Sequence, residues 1–334
     1  MGSVAGVEDL GQRLEDLEGR LRELGSVLVA FSGGADSAFL LAAAVRALGT
    51  ERVVAATAVS PSLAQAELPA AQAFAHDLGV RHLTPGTDEL AREGYVANGA
   101  DRCFHCKATL LDTLRPLAHE LGLEHVATGT NADDAVAGFR PGIRAAAQRG
   151  AVTPLLDAGL TKSMVREASA GWGLATADKP ALACLASRIA YGVQVTPARL
   201  ARVDRVETAV RALLHATDVR VRDLGNGEAR VELDPPALAR WDAAAEGAVS
   251  EEFTRVQVRE FRSGSMNDLL GARPAQQPEQ GQPEADGQQQ REQVQGDRRA
   301  MPQQERDHDG QHGERTDPED HRPAAHQQVA GGAR

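Results

Sequence analysis

The chain has 334 residues, 42% hydrophobic and 25% charged, which is enough for two modest domains with a sizeable core. Its 47 Asp and Glu against 36 Lys and Arg give a formal charge of −11, which excludes the polycationic footprint of bulk nucleic-acid binding, so no nucleic-acid partner is expected. No stretch approaches the roughly 20 consecutive apolar residues of a membrane span, and the acids Glu8, Asp9, Glu15 and Asp16 stand where a leader would be basic, so the chain reads as soluble and cytoplasmic with no membrane partner.

In chain order, Ser26–Phe31 (SVLVAF) is a short buried strand, followed by a helical pattern over Ala38–Leu48 that stops at Gly49. Val53–Val59 reads as the next strand, Gln65–Leu78 as a helix, Arg81–Thr84 as a weak strand, Ala108–Leu121 as a helix and His125–Thr128 as a strand. This alternation predicts an α/β domain over residues 1–195, with a parallel sheet flanked by helices. Beyond it come a helix over Pro197–Leu214 and strands Val219–Leu224 and Ala229–Leu233 joined through Gly225-Asn226-Gly227, a strong hairpin signal. A short helix near Pro236–Ala245 and a strand over Thr254–Phe261 complete a small α+β domain at 196–268. Residues 271–334 hold 14 Gln and no Leu, Ile, Phe, Tyr or Trp, so 269–334 is read as a disordered Gln-rich tail that cannot bury enough apolar surface to offset its ordering entropy.

Three cysteines, Cys103, Cys106 and Cys184, cannot make a disulfide framework, and their odd number points to metal binding, redox work or burial. The Cys103/Cys106 spacing lets two thiolates face one metal or cluster, and also suits a redox dithiol. Closed zinc would need four ligands, with Cys184 and His105 recruited. Lys179 and Arg188 flank Cys184 in sequence and would stabilise its thiolate if they point toward it. Only three basic residues are lysines, Lys107, Lys162 and Lys179, and with abundant Ala this reads as a coding bias rather than a function.

The segment Ala30-Phe31-Ser32-Gly33-Gly34-Ala35-Asp36-Ser37 lies between the first strand and the first helix. Gly33 and Gly34 let the backbone turn tightly and approach an anion, while free N–H groups and the positive helix end would face phosphates. Ser32 and Ser37 add hydroxyl donors, and Asp36 is placed to accept Mg²⁺ or a backbone donor. The Walker ending and the dinucleotide glycine spacing are both absent. Gly and Ser also suit any strand-to-helix turn, and Asp36 or Ser37 would serve as a simple cap. At the carboxyl end of a later strand, Gly129-Thr130-Asn131-Ala132-Asp133-Asp134 is the second loop placed for a ligand, or else an Asx-capped turn. Arg220 and Arg222 alternate on a strand and so share a face, suited to phosphate or to solvent. Tyr95, Trp172 and Trp241 read as packing residues, and His105 as a loop histidine beside the thiols.

The Ser-Gly-Gly-x-Asp-Ser segment resembles the signature of PP-loop ATP pyrophosphatases, which cleave ATP to AMP and pyrophosphate. Within that superfamily Ser60-Pro61-Ser62, Asp101–Lys107 (DRCFHCK), Gly129–Asp134, Arg140-Pro141-Gly142, Cys184–Ile189 (CLASRI) and Arg262–Asn267 (RSGSMN) follow in order. Over roughly residues 10–268 the chain resembles the LarE family of ATP-dependent sulfurtransferases, departing at Gly138-Phe139 and at Asn98-Gly99. The resemblance implies an adenine nucleotide at Ala30, Ser32, Gly33, Gly34, Asp36, Ser37, Gly129 and Asn131, with Mg²⁺ on Asp36 and Asp133 or Asp134 as further ligands. It implies a nucleotide substrate of pyridinium-3,5-dicarboxylate type bound by Arg188, Arg220 and Arg222, with Arg140 a weaker candidate. Cys184 is then either the sulfur donor itself, becoming dehydroalanine, or one of three ligands, with Cys103 and Cys106, of a [4Fe-4S] cluster that carries an exchangeable sulfide; the three cysteines favour the cluster. A homo-oligomer, a trimer-based hexamer, is implied as well. The rival readings are a PP-loop tRNA thiolase, an amidating ligase and an ATP-binding protein without enzymatic activity.

Overall fold

A computed structural model of the protein describes residues 4–136, 140–180 and 183–262, with side chains described from residue 9 onward. All fall within one compact unit, Met1–Ala275. The second unit, Gln276–Arg334, and with it the Gln-rich tail expected from residue 269, lies outside the described residues, as do Gly138-Phe139 and Ser263–Asn267.

The first half runs α1 (Val4–Leu24), β1 (Val27–Ala30), α2 (Ala35–Leu48), β2 (Val53–Ala56), α3 (Glu67–Asp77), β3 (Arg81–Leu83), α4 (Glu93–Val96), α5 (Arg102–Glu120) and β4 (His125–Thr128). It continues through α6 (Ala132–Val136), α7 (Pro141–Gln148), α8 (Pro154–Asp157) and α9 (Lys162–Gly171). The four strands form a parallel sheet in the order β3-β2-β1-β4, with Val27 opposite Val53 and His125. Because successive side chains point to opposite faces, Val27, Val29 and Phe31 enter one core with α1, α2 and α9, while Leu28 and Ala30 enter the other with α5. Each buried Val, Leu or Phe contributes about 1.5–3 kcal/mol by leaving water, so this near-continuous apolar strand is held from both sides.

Strand order reverses beside β1: the chain moves outward to β2 and β3, then returns to β4 on the other side. Open α/β sheets bind ligands outside the carboxyl ends of strands at such a switch point, here the loops after Ala30 and Thr128.

Two expected boundaries move. The β2 strand ends at Ala56 rather than Val59, because Thr57 turns its hydroxyl to the carbonyl of Phe31 (2.7 Å) and Ala58 opens onto a cavity. The α5 helix begins at Arg102, six residues before the expected Ala108, so Cys103 and Cys106 sit on its first turns. The apolar period is visible only from Ala108 through Leu111, Leu114 and Ala118, where the helix meets the sheet.

The last part comprises α10 (Pro197–Leu214), β5 (Val219–Gly225), β6 (Glu228–Leu233), α11 (Pro235–Leu238), α12 (Ala243–Ser250) and β7 (Arg255–Glu260). β5 and β6 form the expected hairpin, with Asn226 and Gly227 at φ 50° and 74°, and β7 runs parallel to β6. This sheet, α10, α12, Tyr95 and the turn Leu185–Arg188 share a third apolar core.

Candidate active site

A cavity of about 490 Å³, of the size that small-molecule sites take, opens at the switch point. Its floor is the turn between β1 and α2. Gly33 holds φ 73°, a backbone that strains any residue with a Cβ, and the turn closes on itself through Ser32 Oγ···Ser37 Oγ (3.0 Å) and Ser37 Oγ to the Gly34 carbonyl (3.1 Å). The N-cap of α2 is Gly34, which offers no side-chain cap, so the first N–H groups of a buried helix face the cavity region without one.

The loop after β4 packs against this turn at backbone distance. A Cβ on Gly129 would stand 2.8 Å from the Ser37 nitrogen, so only glycine fits there. Behind it, the Asn131 side chain is fully buried and pairs through Oδ1 with the Asp134 N–H (3.1 Å). Asp36 Oδ1 and Asn131 Nδ2 are both buried without a hydrogen-bond partner, although Asn131 lies close enough to help hold the Asp36 carboxyl down. Burial dominates and raises the Asp36 pKa; Lys162 and Arg166 oppose it, and Asp134 adds to it. An orphaned carboxylate oxygen beside an uncapped helix end suits a hard cation accompanying a polyphosphate.

All three lysines of the chain, Lys107, Lys162 and Lys179, line the cavity, together with Arg166, Arg188 and Arg211. Their rarity, read above as coding bias, thus has a spatial pattern: the basic residues that are not arginine line one cavity. Lys179 Nζ donates to the Gly33 carbonyl and to Glu67, each at 3.0 Å. Burial lowers the Lys107 pKa, against Cys106, Cys103 and Asp134, which raise it.

Cys184 is exposed, lines the same cavity and caps the turn Leu185–Arg188. Arg188 fixes that turn: it donates to the carbonyls of Ala183 and Cys184 and binds Glu207 in a two-pronged, buried pair (2.8 and 3.2 Å). Asn98, at φ 56° and fully buried, gives its amide to the carbonyls of Ile189, Ala190 and Val193, while Arg102 bridges Asn98 Oδ1 (2.6 Å) and the Ala186 carbonyl (2.9 Å). Below, the Leu185 N–H meets the Ser62 carbonyl, and the Ser62 hydroxyl meets that of Tyr95. Burial pushes the Tyr95 pKa up, and the nearby Cys184 and Cys106 add to the rise.

A scan against protein-family models returns no match. The chain is 40% identical over 269 residues to an uncharacterized protein of Synechocystis, covering 78% of this chain and 99% of the relative. It is 30% identical over 267 residues to the pyridinium-3,5-bisthiocarboxylic acid mononucleotide synthase of Lactiplantibacillus plantarum, covering 78% of this chain and 96% of that protein. The chain belongs to the LarE family.

For a LarE-family chain, the fold brings Ala30, Ser32, Gly34, Asp36, Ser37, Gly129, Cys106, Cys184 and Arg188 onto one cavity. Gly33 takes part through its carbonyl, and Asn131 sits behind the wall. Arg220 and Arg222 do not line the cavity: both are buried on β5, Arg222 against Glu232 (2.9 Å) and the Ser187 carbonyl (3.3 Å), Arg220 against its own strand and Asp218. Burial, then the neighbouring charge of Arg188, lowers the Arg220 pKa to about 10, and Arg222 reaches the cysteine turn through the Ser187 carbonyl. Arg140 pairs loosely with Asp134 at 3.9 Å, Asp133 accepts the Lys162 N–H, and Asp134 lines the cavity.

Cys106 lines the cavity beside Cys184, its thiol pushed up by burial and then by Cys184; Cys103 is exposed one turn earlier on α5. Three thiols are the right donor type for an iron–sulfur cluster. Among the described residues no three Cys, His, Asp or Glu side chains stand close enough together to hold a metal ion as they are placed. His105 faces Asp101 at 3.3 Å over Gly94 and does not reach the cavity. Trp172 stacks on Phe39 and Trp241 packs at the third core, both as packing residues. Sequence reasoning gave no role to Asn98, Arg102, Glu67 or Glu207; of these Arg102, inside the Cys103/Cys106 motif, and Asn98, at the Asn98-Gly99 departure, carried a local signal. Among the described residues no helix is long and apolar enough to cross a membrane.

Proposed function

We propose that the protein is an ATP-dependent sulfurtransferase acting on a carboxylate of pyridinium-3,5-biscarboxylic acid mononucleotide. The observation that carries this reading is that Cys184 and the glycine turn of the PP-loop open onto one cavity that is also lined by Lys107, Lys162, Lys179 and Arg166. The turn, the uncapped α2 N-terminus and the close approach at Gly129 suit ATP. Mg²⁺ would be held through Asp36, with Asp134 near it, and when bound would offset the charge of the polyphosphate.

In the proposed reaction a substrate carboxylate oxygen attacks the α-phosphorus of ATP and pyrophosphate leaves. The Cys184 thiolate then attacks the acyl carbon of the mixed anhydride and AMP leaves, giving a thioester. Loss of the Cys184 Cα proton with cleavage of its Cβ–S bond releases the thiocarboxylate and leaves dehydroalanine. Arg188 holds the cysteine turn through the two carbonyls it binds, and the Arg220–Arg222 pair lies behind it as the candidate substrate-phosphate cluster.

A second sulfur source is favoured by Cys103 and Cys106 standing three residues apart on one helix near Cys184. The test is mass spectrometry of an anaerobic reaction of full-length protein with ATP, Mg²⁺, sulfide and the dicarboxylate mononucleotide, alongside iron and labile-sulfide analysis. Substrate-dependent AMP, thiocarboxylate and dehydroalanine at position 184 in matched amounts are the expected result. Product exceeding protein with Cys184 intact and iron bound assigns the sulfur to a cluster instead. Well-folded protein that forms neither AMP nor thiolated product with this substrate overturns the reading, and thiolation of tRNA in its place would assign the protein to the tRNA thiolases.

A further inference from the structure

Glu67 is out of place in a cavity suited to a polyphosphate. It lines the cavity together with Ser32, Gly34 and Ser37, and an ionised carboxylate there repels a phosphate group. It is tolerated because Lys179 neutralises it at 3.0 Å, in a pair where each side chain keeps only about a fifth of its exposure (21% and 20%). The same ammonium donates to the carbonyl of Gly33, the residue at φ 73° that shapes the turn. Arg166 pins the backbone on either side, donating to the carbonyls of Ala177 (2.9 Å) and Lys179 (2.8 Å), so Nζ is delivered to the turn rather than left to wander.

An ammonium has three protons, and two are engaged here. Glu67 also has a second place to go: it lies in the first turn of α3, whose N-cap, Ala66, supplies no side-chain cap, so a carboxylate released from Lys179 stays favoured by the helix end. A compact, rotatable ammonium can change anionic partners where a rigid guanidinium fork, already matched to one carboxylate, would not. This gives the lysine a reason to persist in a chain whose basic residues are otherwise almost all arginine.

We propose that Lys179 is the polyphosphate-positioning residue of this cavity, exchanging its ion pair with Glu67 for the β- and γ-phosphoryl oxygens of a nucleoside triphosphate while keeping the Gly33 carbonyl. The proposal rests on the nucleotide reading above and adds to it a named competitor for the ligand. No covalent step is involved: the pair Lys179–Glu67 breaks and the pair Lys179–phosphate forms.

The test is equilibrium binding of ATP and of AMP, with Mg²⁺, to the full-length wild type, Lys179→Met, Glu67→Gln and the double variant. A charge-assisted contact of about 1.5–3 kcal/mol corresponds to roughly tenfold to a hundredfold weaker ATP binding by Lys179→Met, with AMP nearly unchanged because it lacks the outer phosphates. Glu67→Gln keeps an acceptor for Lys179 but removes the competing charge, so it is expected to bind ATP severalfold more tightly and AMP as before. In the double variant the gain from Glu67→Gln should shrink, because the lysine it frees is gone. Equal losses for ATP and AMP in Lys179→Met, or weakened ATP binding by Glu67→Gln, would overturn the proposal. If Lys179→Met fails to fold, Glu67→Gln and its ATP-against-AMP contrast decide alone. Wild-type protein that binds no ATP overturns both this and the nucleotide reading, whereas ATP binding that is indifferent to Lys179 overturns only this one.

Discussion

On the side of the cavity built by β1, α2 and α6, polar groups are left without partners: the α2 N-cap has no side-chain cap, and Asp36 Oδ1 and Asn131 Nδ2 are buried alone. On the side built by α10, β5 and the Leu185–Arg188 turn, five arginines share three buried carboxylates, Arg188 on Glu207, Arg222 and Arg259 on Glu232, and Arg199 and Arg202 on Asp223, and Arg202 Nε is left without a hydrogen bond. Buried polar groups ordinarily find partners, because an unmet one costs about 1–3 kcal/mol. The unpaired side therefore has the properties of a surface prepared for a charged ligand, and the paired side those of a frame that keeps a cysteine still. One cavity divides into a part that waits and a part that holds.

Several substitutions would break or sharpen that contrast. Cys184→Ala removes the proposed sulfur nucleophile and is expected to abolish thiolated product while ATP binding persists, seen by product mass spectrometry with nucleotide binding alongside; undiminished product would move the chemistry elsewhere. Glu207→Ala attacks the frame. Removing one partner of a buried ion pair costs about 3–5 kcal/mol, so a urea unfolding midpoint close to wild type would mean that Arg188 does not depend on Glu207.

Gly129→Ala attacks the waiting side. Its Cβ would meet the Ser37 nitrogen at 2.8 Å, and overpacking of roughly 1–3 kcal/mol at this wall of the cavity should appear as roughly fivefold to hundredfold weaker ATP binding, measurable by calorimetry.

Asp36→Asn separates stability from function. Because burial raises the Asp36 pKa in the folded protein, its charged form opposes folding, and this cost grows as pH rises through the folded value. Without ligand, the Asn variant should match wild type in acid and become the more stable of the two as pH increases, while losing Mg²⁺-dependent ATP binding; thermal unfolding across pH checks the sign. The smallest effect belongs to Arg20→Ala, which removes an exposed pair with Asp16 on α1 and should leave the unfolding midpoint where it is.

The legible parts of the sequence were those with local cause. A buried apolar run ending in Ser32-Gly33-Gly34 gives a strand, a tight turn and a helix, and Asn226-Gly227 gives a hairpin, because glycine and asparagine supply backbone angles that other residues resist. The start of α5 was hidden because its first turns carry the cysteines and border the cavity rather than the sheet, and so have no apolar period. Arg220 and Arg222 show why alternation misleads: both faces of β5 are covered, so a shared face did not mean a shared opening.

By itself, then, the sequence determined the parallel α/β sheet, the anion-ready turn and the three thiols, since each rests on residues adjacent in the chain. Only the tertiary structure decided that Glu67 and Lys179, 112 residues apart, share an ion pair, that Glu207 anchors Arg188, and that Asn98 closes the turn below Cys184. Packing two sheets and their loops around one cavity creates these pairs, and no local propensity records them. Charge partners across such distances are chosen by which groups lose water together, which is a property of the folded chain.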